Sequence, residues 1–196
     1  MNLRSYQRAA IDATNDYLRQ RDDNPVIVLP TGAGKAICMA TMIREYLTQW
    51  PTTRIVILAH VKELVQQNAE KLAAVWPEAP LGIYSAGLGM RQSWAPVVFA
   101  SIQSVAKSAR QLGRFELAFI DEVHRVPLSG EGLYRRFLAD ARELSPHLRV
   151  IGFTATPYRL GHGMVVGDDT LMNGISYEAD LKSLIDAGYL CRLVSK

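Results

Sequence analysis

An α/β fold, with a mainly parallel sheet and helices on both faces, is what this 196-residue sequence predicts. Three observations carry the prediction. Short apolar, β-branched runs alternate with longer amphipathic stretches, the rhythm of strands joined by crossover helices. Several short runs, such as Ile55-Val56-Ile57-Leu58 and Ala118-Phe119-Ile120, are apolar without a break, as strands covered on both faces require. The first strand runs into a glycine-rich turn and then directly into a helical pattern, which is a βα unit with a special turn.

Taken in order, the sequence places strands at 26–29, 54–59, 81–84, 97–100, 117–120 and 149–153. Helical periodicity covers 5–20, 35–50, 61–75, 101–109, 133–144 and 179–187. Pro51, Pro77 and Pro146 each fall just past a helical pattern, where a helix should stop. The stretch 161–174 is glycine-rich and weakly patterned and reads as a mobile loop, and 189–194 resembles a strand leading onward. Length alone supports one domain with a full hydrophobic core. A net charge of +3 permits contact with a polyanion without arguing for one. No apolar run reaches membrane-spanning length, so no membrane role and a cytoplasmic location are expected. Cys38 and Cys191 make neither a disulfide framework nor a metal-ligand pattern.

The turn after the first strand reads Leu29-Pro30-Thr31-Gly32-Ala33-Gly34-Lys35-Ala36. Small residues let backbone N–H groups curl around phosphates, and the positive end of the following helix adds to the field. Pro30, Thr31, Gly32, Ala33, Gly34 and Ala36 would therefore cradle a triphosphate, with Lys35 reaching the β- and γ-phosphates. Two positions depart from the strict pattern. Leu29 stands where a first glycine is usual, and Ala36 stands where a Ser or Thr hydroxyl would meet Mg²⁺. Alanine offers no oxygen, so phosphate binding can survive while metal placement and hydrolysis suffer.

The strand at 117–120 runs straight into Asp121-Glu122-Val123-His124. A carboxylate at the end of a buried strand near such a loop is positioned to serve Mg²⁺, and Asp121 takes that role. Glu122 is assigned to positioning and activating the attacking water.

Asp121 to His124 resembles the DExH box of superfamily 2 helicases, and four further motifs follow the matching order. Leu3-Arg4-Ser5-Tyr6-Gln7 resembles the glutamine motif, in which Gln7 would read the adenine edge and Arg4 would contact the base. Ala59-His60-Val61-Lys62-Glu63-Leu64 with Gln67, and Ala100-Ser101-Ile102-Gln103-Ser104-Val105, resemble the two strand-facing motifs. Thr154-Ala155-Thr156-Pro157 resembles motif III, whose hydroxyls link the acidic box to the nucleic acid. The stretches VIVLPTGAGK, LAHVKELVQQN and PHLRVIGFTATPYRLG are further similar to the RadD-type DNA repair ATPases of bacteria.

The resemblance implies a RecA-like first lobe at 1–188, with 189–196 starting a connection to a second lobe that completes the ATP site. It implies ATP and Mg²⁺ as cofactors, with Lys35, Asp121, Glu122 and His124 carrying the chemistry and Thr154 and Thr156 the coupling. DNA would be the partner, held through its backbone with weak sequence preference by His60, Lys62, Gln67, Ser101, Gln103 and Ser104. Alone, this lobe would be nearly inactive. The alternatives are a non-hydrolysing nucleotide-binding or DNA-docking module, supported by Ala36 and by the lack of a second lobe in this sequence, and a lobe acting on RNA.

Overall fold

The computed structural model describes residues 3–126, 132–159, 163–168 and 170–191. Ten strands and seven α-helices occur among them. The strands are β1 (Pro25–Val28), β2 (Ile55–Ala59), β3 (Leu81–Ser85), β4 (Met90–Arg91), β5 (Val97–Ser101), β6 (Leu117–Ile120), β7 (Arg149–Thr154), β8 (Tyr158–Arg159), β9 (Gly163–Met164) and β10 (Gly174–Glu178). The helices are α1 (Ser5–Gln20), α2 (Lys35–Gln49), α3 (Lys62–Val75), α4 (Ile102–Val105), α5 (Ala109–Leu112), α6 (Leu133–Leu144) and α7 (Leu181–Asp186).

Eight strands form one sheet in the order β10-β1-β7-β6-β2-β5-β3-β4, parallel throughout except for β4 at one edge. Every residue of β1, β2, β5 and β6 is buried, which is why those runs read as unbroken apolar stretches. Successive side chains of a strand point to opposite faces, so the core divides in two. Ile27, Ile55, Ile57, Phe99 and Phe119 pack under α1, α2 and α3, whereas Val26, Val56, Val98 and Ile120 pack under α4, α5 and α6. In α6 the buried residues Tyr134, Phe137, Leu138 and Ala141 make one helical stripe. An ion pair from Arg8 to Glu45, 2.6 Å, ties α1 to α2.

Three expectations need correction. The single helix expected at 101–109 is two short helices, α4 and α5, because the chain turns at Ala106 to Ser108 and buries Ile102 and Val105 separately from Ala109 and Leu112. The stretch 161–174 is not simply a loop: β9 pairs with β8, and Val165 and Met172 are buried in the core. Its residues 161, 162 and 169 lie outside the described residues. β10 went unforeseen because an edge strand is only half-buried and lacks the unbroken apolar signature. Of the strand expected at 189–194, Tyr189 to Cys191 are not in a strand, and 192–194 lie outside the described residues.

Strand order decides where function can sit. In an open parallel sheet, ligands bind beyond the carboxyl ends of the strands. β1, β7 and β6 are neighbours, which brings the turn at Thr31 to Lys35, the segment at Thr154 to Thr156 and the acidic box side by side. β2, β5 and β3 are the next three neighbours, so His60, Ser101 and Ser85 share the other half of the same rim.

Candidate nucleotide site and adjoining cleft

Gly34 caps α2 with φ +87° and Gly32 has φ +83°, left-handed conformations that only glycine adopts without strain. A side-chain carbon on Gly34 would come within 2.5 Å of Gln7 Nε2, so the loop and α1 are fitted to one another. Gln7 is buried: its Nε2 donates to the Ala33 carbonyl at 3.0 Å and its Oε1 accepts from the Arg4 N–H at 3.0 Å. Tyr6 adds a second hydrogen bond to the Ala33 carbonyl, 2.8 Å from its hydroxyl. The cradle is a glycine-rich turn leading into the N-terminus of α2, and the backbone N–H groups and positive end of that helix suit a phosphate chain.

Lys35 Nζ lies 3.2 Å from Glu122 Oε1 across the β1–β6 gap. Glu122 has φ +50°, the only described non-glycine residue with a positive φ. Held strain of this kind, of order 1 kcal/mol or more, marks sites where geometry is over-determined by function. Asp121 is 6 % exposed, and each of its oxygens is engaged: Oδ2 accepts from Asn68 Nδ2 at 2.7 Å and Oδ1 from the Glu122 N–H at 2.9 Å. Burial pushes the Asp121 carboxyl above the usual carboxylate range, opposed by the Asn68 hydrogen bond.

His124 Nδ1 is 2.9 Å from Thr154 Oγ1 and 3.3 Å from Glu122 Oε2. The Thr154 hydroxyl donates to the Thr156 carbonyl at 2.8 Å and accepts from the Thr156 N–H at 3.2 Å. With its one proton so used, Thr154 Oγ1 accepts from His124, which places a proton on Nδ1. Acidic box and Thr154 segment therefore form one connected polar unit.

The other half of the rim holds a cleft of about 390 Å³ lined by residues that include His60, Lys62, Gln103, Ser104 and Ser85. Gln103 Nε2 donates to the His60 carbonyl at 2.6 Å, joining the ends of β2 and β5. Ser101 lines the cleft yet is 5 % exposed; its hydroxyl bonds to Ser85 at 3.2 Å and Ser104 at 2.8 Å, so it organises the floor. Gln67 is exposed one turn beyond Glu63 and does not line the cleft. Burial first, then the charge of Arg125, lowers the His60 pKa, which favours a neutral ring there. A larger cleft of about 520 Å³, with Trp50, Tyr46 and His147 in its wall, lies at the amino ends of β6 and β7 and contains none of the expected site residues.

The chain that carries this arrangement is similar to known proteins. Residues 1–159 fit the family model described as Type III restriction enzyme, res subunit. The chain belongs to this family. Among curated relatives, the protein IRC3 of Saccharomyces cerevisiae, classed by name with ATP-dependent helicases, is 28% identical over 200 residues, covering 96% of this chain and 28% of IRC3. The chain thus spans little more than a quarter of that relative. Among solved structures, the helicase domain of Hef from Pyrococcus furiosus superposes with a TM-score of 0.67 at 23% identity, over 90% of this chain and 39% of that one. The UvsW helicase of bacteriophage T4 gives a TM-score of 0.68 at 19% identity, over 90% and 60%. The fold is that of the first RecA-like lobe of superfamily 2 helicases.

Within this family frame, the geometry adds residues the motifs did not single out. Asn68 was legible as a polar side chain inside the buried stripe of α3, beside Val65, Ala69 and Leu72. Ser85 carried no signal beyond its place at a strand end. Tyr6 and Tyr189 met the loop and Arg4 only in three dimensions. No helix among the described residues is long and apolar enough to cross a membrane.

Proposed function

We propose that this lobe binds ATP and, in the longer protein, couples its hydrolysis to movement on or remodelling of DNA. The observation that carries the reading is the ion pair of Lys35 with Glu122, 3.2 Å, between a glycine cradle and a buried aspartate. Backbone N–H groups of Gly32 to Ala36 would bind the β- and γ-phosphates, and Lys35 would exchange Glu122 for phosphate oxygen. Glu122, released from Lys35, would orient and polarise the attacking water. His124 and Thr154, 2.9 Å apart, would report the state of Glu122 to the cleft at His60, Gln103 and Ser104.

ATP supplies the phosphoanhydride whose cleavage drives the change. The site suits Mg²⁺ through Asp121 and water, the few-carboxylate coordination this ion prefers. Ala36 contributes no oxygen to it, and no cluster of three or more acidic, His or Cys side chains among the described residues makes up for that. We assign Arg4 and Gln7 to the base and Lys62 to the nucleic-acid backbone, with Arg fingers expected from a second lobe. The resemblance of its motifs to RadD-type DNA repair ATPases supports a role for the full protein in DNA maintenance.

Support for DNA over RNA comes from relatives named as DNA helicases, among them MPH1 of Candida albicans. The non-hydrolysing module draws its structural support from Ala36, which offers no side-chain oxygen to a metal. Thermal shifts of this chain with ATP, ADP and GTP, each with Mg²⁺ and with EDTA, test the nucleotide half; adenine nucleotides should raise the melting temperature and GTP should not. A flat response at millimolar nucleotide would overturn it. ATP hydrolysis by the longer protein with and without DNA tests the rest, and absence of stimulation by any nucleic acid would sink the motor reading.

A further inference from the structure

The phosphate end of the site is built from a complete loop, whereas the base end has so far only Gln7 and Arg4. Edge hydrogen bonds fix which base binds, but they leave both faces of a flat purine against water. Proteins that hold bases in water-exposed grooves close those faces with aromatic rings or guanidinium planes. A ring is present at this spot. The Arg4 guanidinium carbon lies 4.9 Å from the centroid of the Tyr189 ring, and Arg4 Nη1 donates to the Tyr189 carbonyl at 3.3 Å. Tyr189 also packs on Tyr6, ring centroids 5.3 Å apart.

We propose that Tyr189 is the second wall of the adenine pocket, stacking on one face of the base while Arg4 covers the other. This rests on the nucleotide reading of the phosphate loop. Tyr6 is not available for the task, because its ring packs against Tyr189 and its hydroxyl is bonded to the Ala33 carbonyl. Tyr189 is 36 % exposed and has a face to offer. Gln7, with Oε1 and Nε2 each used once, keeps one lone pair and one N–H. These complement the N6 donor and N7 acceptor of adenine.

Tyr189 is held in place by the fold. α7 ends in a left-handed turn at Gly188, φ +72°, and the Gly188 and Tyr189 N–H groups donate to the Ile185 and Leu184 carbonyls, each at 2.9 Å. This double closure sets the direction in which residue 189 leaves the helix. Leu184, 4 % exposed, anchors α7 in the core. The next residue, Leu190, reaches the phosphate loop: its Cδ2 lies 3.3 Å from the position of a Cβ on Gly32. One short segment therefore touches both the base end and the phosphate end. Entry of a base between guanidinium and ring widens that pair by roughly 2 Å, since stacked layers sit about 3.5 Å apart.

Calorimetric titration of this chain with ADP, with ATP and with inorganic tripolyphosphate, which has no base, separates the two ends. Tyr189→Ala is expected to weaken ADP roughly tenfold while leaving tripolyphosphate unchanged, and Tyr189→Phe to keep ADP affinity. Unchanged ADP binding in Tyr189→Ala overturns the proposal, as does an equal loss for both ligands. If the unaltered chain binds ATP no more tightly than tripolyphosphate, which carries the same three phosphates, the base pocket falls while the phosphate loop stands. If it binds neither, the nucleotide reading falls first and this proposal with it.

Discussion

The ammonium of Lys35 and the carboxylate of Glu122 meet at 3.2 Å, although 14 % and 22 % exposure leaves both largely out of water. An ion pair this enclosed is strengthened by low local dielectric, and it engages Lys35 with one oxygen of Glu122 while the other faces His124 at 3.3 Å. A phosphate entering the loop competes with Glu122 for Lys35.

Two substitutions should move nucleotide affinity in opposite directions. Lys35→Ala removes the ammonium that the loop itself carries and is expected to weaken ATP binding by more than about tenfold, a loss typical of one charge-assisted contact. Glu122→Gln relieves the competition and is expected to tighten ATP binding several-fold while abolishing hydrolysis in the longer protein. Calorimetry on both variants checks the pair; looser binding in Glu122→Gln would show that the carboxylate supports the nucleotide.

Restoring the missing hydroxyl should restore metal dependence. Ala36 lies in the first turn of α2 and is only half-buried, so a serine hydroxyl there need not be forced into the core. Ala36→Ser is expected to raise the ratio of ATP affinities with Mg²⁺ and with EDTA by roughly tenfold, the scale on which a single metal-site group acts. An unchanged ratio would exclude position 36 from metal placement.

Arg54 is a stability determinant remote from the site. Its guanidinium donates to the carbonyls of Leu112 at 2.8 Å and Ser93 at 2.6 Å, and lies 4.7 Å from the centre of the Phe115 ring. The start of β2 is thereby tied to the end of α5 and the approach to β5. Arg54→Ala should lower unfolding free energy by roughly 2–4 kcal/mol, because several carbonyls lose a charged donor together. Urea denaturation measures it, and Arg54→Lys should recover only part, since an ammonium cannot fork between the same acceptors.

The two thiols should differ sharply in reactivity. Cys38 is fully buried, and burial pushes its pKa up to about 12, whereas Cys191 is exposed. At pH 8 an aromatic disulfide reagent is expected to titrate one thiol rapidly and the second only when urea unfolds the chain. Two fast thiols would mean that α2 opens in the native state.

Much of the site was legible because its chemistry is local. The residues from Leu29 to Ala36 and from Asp121 to His124 are contiguous, and a strand, a turn and a helix dictate their geometry wherever the strand lies. The buried strands announced themselves by unbroken apolar runs. The edge strand β10 did not, because half-burial weakens the pattern that burial imprints. Nor did the break between α4 and α5, since Ile102, Val105, Ala109 and Leu112 keep an apolar spacing that a single helix would also satisfy.

By itself, then, the amino-acid order determined the α/β class, the phosphate loop and the acidic box. Tertiary structure alone decided that Lys35 faces Glu122, that Asn68 holds Asp121 and that Tyr189 covers Arg4 from 185 residues away. These pairings arise because β1, β7 and β6 lie side by side and α7 turns its end back over α1. Strand order is a property of the packed sheet, set by which faces can bury together, and short-range patterns along the chain do not encode it.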